Sequence, residues 1–253
     1  MSDFRNGFST PVNAPADMAV DTGLRSFMLG VYNKVALGLL VSAALAYVTG
    51  SFPPVRDLLY ATQLFPDGVT RVTGFTILGM IVAFSPLAVL LVSGFVMRNP
   101  TSGAASAIYW LVVALIGASM GSVVLLYTST SIVSTFLVTA AAFGALSLWG
   151  YTTKRDLSGI GSFLIIGVIG LIIASVVNMF LNSGPMQMII SAVGVLLFAG
   201  LTAYDTQRLK MTYYALGGDR TRMSVATSYG ALSLYLDFIN MFQFMLALFG
   251  GRR

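Results

Sequence analysis

"TSYGALSLYLDFINMFQFMLALF", residues 227–249, decides the fold. The run is apolar almost throughout and carries one charge, Asp237, near its middle. About 20 apolar residues in a helix cross the roughly 30 Å of hydrocarbon in a bilayer, so the run is long enough to span one. An ionised carboxylate at the centre of such a helix costs about 2.5–3.5 kcal/mol on insertion scales. The run therefore reads as a membrane helix holding a charge that something must either offset or use.

Working outward, six more apolar runs precede it, at about 35–52, 72–97, 104–126, 131–151, 160–181 and 186–206. Helices and closed barrels are the structures that satisfy their own backbone in lipid, and these runs lack the two-residue alternation of barrel strands. The breaks between them carry helix-ending residues: Pro53-Pro54, Asn99-Pro100, Gly159 and Gly184-Pro185. The expectation is an all-α membrane protein with seven transmembrane helices over residues 25–250. Residues 1–24 read as a polar, disordered tail, with no apolar core of signal-peptide length. Gly117 and Gly121 form a GxxxG in the third run, and Gly167 and Gly170 share a face of the fifth. Both pairs predict close helix packing.

Composition excludes much chemistry. Of 253 residues 57% are hydrophobic and 9% charged, and mean hydropathy is +0.85. There is no His, no Cys and no Glu; the nine acidic residues are all Asp. Ser-His and Cys-His nucleophile systems, disulfides and the usual zinc sites are therefore absent. The lysines, Lys34, Lys154 and Lys210, all fall at span ends, which argues against a retinal Schiff base. The net charge of +5 forms no dense stripe for nucleic acid. It instead reports orientation. With a cytosolic N-terminus, ten Lys and Arg lie inside and four outside, which the positive-inside rule favours. Seven full spans then put Arg252-Arg253 outside; a re-entrant last run would put them inside.

Two Asp residues fall within spans: Asp205 in "AGLTAYDTQRLK" and Asp237. Each has a structural reading. Asp205 can pair with Arg208, three residues on along the helix. Asp237 can stay protonated or bond Asn240. Their presence on consecutive spans favours a joint site. If the last span enters hydrocarbon at Thr227, Asp237 is about 15 Å deep, and if at Ala231, about 9 Å. Only the shallower placement brings it to Asp205. Two carboxylates in hydrogen-bond range share a proton, which makes them the natural pH sensor in a chain without His. Their oxygens suit Ca²⁺ better than soft metals, with Asn240, carbonyls and water completing the shell. Arg98, at the inner end of the second run, is a candidate counter-ion. The set Asp205, Asp237 and Arg98 suggests a proton-sensitive cation path with a salt-bridge latch.

"LFAGLTAYDTQRLK" and "GALSLYLDFINMF" resemble the last two helices of the transmembrane Bax inhibitor motif family in its bacterial branch. "YTTKRDLSGIGSFL", residues 151–164, and the stretch from Tyr32 to Gly38 fit the same family, so the resemblance covers residues 25–250. It implies a bundle whose last helix is central and wrapped by the other six, in the inner membrane with a cytosolic N-terminus. It implies a pH-sensitive calcium leak with an aspartate dyad at Asp205 and Asp237 and a latch at Arg98. Some members carry a glutamate three turns before that arginine; this chain has Leu87 there. Other members associate with a membrane-bound AAA protease, so a non-transporting modulator of such a partner is the rival. An intramembrane aspartyl hydrolase ranks below both, and the expectation is that the protein is not an enzyme.

Overall fold

The computed structural model describes residues 22–65, 70–96 and 100–252. Among these, seven helices are long and apolar enough to cross a membrane. α1 spans Thr22–Ser51. A short α2, Pro53–Leu59, leads into a hairpin of β1, Tyr60–Leu64, and β2, Thr70–Phe75. α3 is Ile77–Val96 and α4 is Ser102–Ser119, continued past a break at Met120 by α5, Gly121–Leu126. α6, Ser129–Thr152, and α7, Ser158–Leu181, follow. The last two are α8, Gly184–Ala215, and α9, Arg220–Phe249. Their starts carry local caps: Thr101, Thr128, Ser183 and Asp219 each accept a backbone N–H of the first turn.

Several helices overrun the apolar runs. α1 begins 13 residues before the run at 35 and α8 continues nine past 206. Residues 1–21, most of the expected tail, lie outside the described residues. The molecule is all-α but for a small hairpin, which corrects the bounds of the second span: residues 72–75 belong to β2. Tyr60, Thr62, Val72 and Phe75 are strand-favouring types, and β1 and β2 pair antiparallel from Tyr60↔Phe75 to Leu64↔Thr70. Tyr60 is buried and ties the hairpin to the break in the third span. Its hydroxyl donates to the Ser119 carbonyl at 3.0 Å and accepts the Ser122 N–H at 3.0 Å. Burial pushes that hydroxyl above the usual tyrosine range, so it stays protonated to donate.

α9 is the core. It packs against α1, α4, α6 and α8 and has the largest buried share of the seven spans. The other two spans lie outside it: α7 packs on α8, and α3 on α4, α2 and β2. Four spans rather than six line the central helix. α9 is also a full span. It starts beside α4, where Ser224 and Ser102 hydroxyls meet, and ends at the α5–α6 turn, where Thr128 N–H donates to the Gly251 carbonyl at 3.0 Å. The two chain ends of α9 therefore lie at opposite ends of the bundle, here called the basic end (Arg208, Lys210) and the hairpin end. The GxxxG pair works as expected: Gly117 abuts the Ser42 backbone and Gly121 the Thr49–Gly50 backbone, drawing α4 and α5 onto α1. Gly167 packs on Leu197, but Gly170 faces open space, so only one glycine of the second pair makes a close approach.

Candidate functional site

Asp237 lies mid-way along α9 and is 4% exposed. Its Oδ2 is a buried side-chain oxygen with no hydrogen-bond partner among the described residues. Leaving such an atom unsatisfied costs about 1–3 kcal/mol. Polar side chains one turn on along α9 and on the facing helix α8 are engaged elsewhere. The Asn240 amide donates to the Leu236 carbonyl at 2.8 Å. Thr202 Oγ1, fully buried on α8, donates back to the Phe198 carbonyl at 2.8 Å. Phe238, next in sequence, is packed edge-on against Phe136 and Phe143 of α6 at 5.3 and 5.5 Å. Oδ2 thus has no donor among the described residues.

The packing of the last two helices sets the axial offset between the two aspartates. α8 and α9 run antiparallel, with Leu209 against Gly230 and Phe244 against Gly194. Asp205 on α8 and Ser233 on α9 fall between those two crossings. Asp205 is therefore level with Ser233, and Asp237 lies one turn, about 6 Å, farther toward the hairpin end. At that offset two ionised carboxylates repel each other. Arg208 Nη1 stands 3.6 Å from Asp205 Oδ1, as the i,i+3 spacing predicts, with the side chains 61% and 12% exposed. Such an exposed partner is worth about 0–1 kcal/mol. Asp205 is the more exposed, ion-paired carboxylate, and Asp237 the buried one behind it whose Oδ2 lacks a partner.

Arg98 lies outside the described residues. Leu87 is 58% exposed on the outer helix α3, away from the aspartates' helices. Among the described residues no three acidic side chains gather to hold a metal.

Lys34 is the residue that the sequence undersold. It stands well inside α1 rather than at a span end, and its Nζ donates to Ser228 Oγ at 2.7 Å and Ser106 Oγ at 3.3 Å. The Tyr109 hydroxyl bonds the Lys34 carbonyl at 2.5 Å. Farther along the same three helices, Ser42 Oγ meets Tyr235 OH at 2.6 Å and donates to the Val113 carbonyl at 3.0 Å. A polar seam therefore clamps α1, α4 and α9, on the side of α9 away from α8. Its signal in the sequence was a lysine within the first helix's apolar pattern rather than before it.

Comparison with known proteins agrees with this architecture. A family model described as "Inhibitor of apoptosis-promoting Bax1" matches residues 24–253. An uncharacterised protein of Caulobacter vibrioides is 61% identical, covering all of both chains. An uncharacterised protein of Rickettsia prowazekii is 41% identical over 92% of each chain. The inner membrane protein YbhL of Escherichia coli K12 is 40% identical over 91% of this chain and 94% of its own. With the family pattern running from the first span to the last, and an inner membrane protein among its relatives, this chain belongs to the Bax inhibitor family of membrane proteins.

Proposed function

We propose that the protein is a pH-gated leak for Ca²⁺ across the inner membrane, with Asp205 and Asp237 as both proton sensor and cation route. The observation that carries this reading is the orphaned Oδ2 of Asp237, buried in the core helix one turn behind a second carboxylate. A structural carboxylate is ordinarily hydrogen-bonded. One left bare inside a bundle is a reservoir of binding energy for a proton or a cation. Ten basic residues against four orient the N-terminus and the Arg208 end to the cytosol. Asp205 is then the cytosolic member of the pair.

At high pH both carboxylates tend to ionise, repel each other and hold a cationic counter-ion; by the family pattern Arg98 is that latch, beside Arg208. Protonation releases the counter-ion and lets the helices part. Full protonation removes the charge that draws Ca²⁺ in. Flux therefore peaks at an intermediate pH. The reading is of a transport protein without enzymatic chemistry and without a resident cofactor.

The test is Ca²⁺ uptake into liposomes by the purified protein across pH. Asp205→Asn and Asp237→Asn are each expected to flatten the pH profile. Wild-type profiles from both variants would sink the proposal. No flux from pure protein, together with copurification of a membrane-bound AAA protease, would instead favour the modulator role.

A further inference from the structure

The seam between α1 and α6 is not closed. Toward the basic end it widens into a cleft of about 830 Å³, lined by Arg25, Met28 and Leu29 on α1 and by Phe143, Gly144 and Tyr151 on α6. That volume falls within the roughly 300–1,000 Å³ typical of ligand pockets. Leu29 and Leu148 on its walls are 51% and 64% exposed, so the cleft opens sideways, where a spanning bundle meets hydrocarbon.

Its charge is confined to one end. Arg25 is exposed and makes no ion pair among the described residues. Lys210 donates to the Tyr151 carbonyl at 3.0 Å and lies over the Tyr151 ring at 5.4 Å. Arg25 and Tyr151 thus line the basic end of the cleft, with Lys210 held against Tyr151, while Met28 and Phe143 form an apolar slot behind them. A slot of this kind does not hold water well. Arginine grips a phosphate by a forked pair of hydrogen bonds. Basic pockets between spanning helices recognise acidic lipid headgroups.

We propose that this cleft binds an anionic phospholipid, with the headgroup phosphate at Arg25 and Lys210 and an acyl chain lying along Met28 and Leu29 toward Phe143. A second cleft supplies an internal contrast. At the hairpin end α1 and α6, together with α5 and α9, leave about 600 Å³, again with an arginine, Arg56, in its lining. There Arg56 Nε is 2.8 Å from Asp57 Oδ1, so its charge is already partnered. The first cleft selects for headgroup charge; the second does not.

The test is native mass spectrometry of the purified protein equilibrated with phosphatidylglycerol or phosphatidylcholine. Wild type is expected to retain phosphatidylglycerol about fivefold better, equivalent to about 1 kcal/mol. Arg25→Gln should bring that ratio close to one, and Arg56→Gln should leave it unchanged. Gly144→Phe fills the cleft from a position where an added Cβ meets nothing within 4 Å, and should lower retention of both lipids. An undiminished preference in Arg25→Gln, or full retention in Gly144→Phe, would overturn the proposal. So would displacement of the lipid by soluble glycerol phosphate at equal concentration, because the acyl slot would then contribute nothing.

Discussion

At the scale of single residues, Asp237 is a destabilising group kept in the most buried helix of the molecule. Its Oδ2 lacks a partner, and Asn240 and Thr202 turn their donors to backbone carbonyls instead. Replacing the carboxyl with an apolar group of similar size removes the unsatisfied atom without opening a cavity. Asp237→Leu is therefore expected to stabilise the fold by about 1–3 kcal/mol while flattening pH-dependent flux. Thermal unfolding in detergent measures this, and a lowered melting temperature would show that the carboxyl has a structural partner. Lys34 predicts the opposite sign. Lys34→Met keeps the length of the side chain but leaves Ser106 and Ser228 without their ammonium donor. A loss of about 1–3 kcal/mol is expected, with the pH profile of flux retained, because the lysine sits on the α4 side of α9 rather than beside Asp205.

At the scale of elements, packing depends on which glycine faces which neighbour. A Cβ at Gly117 would strike the Ser42 backbone, whereas one at Gly170 would meet nothing within 4 Å. Gly117→Ala should cost about 1–3 kcal/mol by forcing α4 off α1. Gly170→Ala should stay within about 1 kcal/mol of wild type, on the stabilising side. Equal melting temperatures for the two variants would refute this contrast. Sequence pattern alone treats these glycines alike, because both sit at helical spacing in apolar runs, and the difference lies in the partner helix. The same holds for the site. The aspartates are legible because charges in spans are scarce and costly. Their offset by one turn is not, because it follows from the Leu209–Gly230 and Phe244–Gly194 contacts across two helices. The hairpin was hidden for a simpler reason. Val72 and Phe75 run into Ile77 with only Thr73, Gly74 and Thr76 between them and no charge or proline, so hydropathy assigns β2 to the span.

At the scale of the whole molecule, the lengths of the helices and the distribution of charge bear on orientation. α1, α8 and α9 have 30, 32 and 30 residues, long enough for about 45 Å against roughly 30 Å of hydrocarbon. The surplus of α8 is the polar stretch from Arg208 to Ala215, and α9 begins with Arg220 and Arg222, so both project at the basic end. The hairpin end carries the partnered Arg56 and the C-terminal Arg252, which lies over the Tyr127 ring at 6.0 Å. Positive-inside reasoning puts the basic end in the cytosol and, because α9 crosses the whole bundle, the C-terminus outside. The absence of cysteine makes this easy to check. Ala215→Cys at the end of α8 and Gln63→Cys in β1 are both exposed and lie at opposite ends. In right-side-out vesicles a membrane-impermeant maleimide should label Gln63→Cys at once and Ala215→Cys only after permeabilisation, and inverted vesicles should reverse the order. Immediate labelling of Ala215→Cys from outside would invert the molecule, and Asp205 would then sense external rather than cytosolic pH.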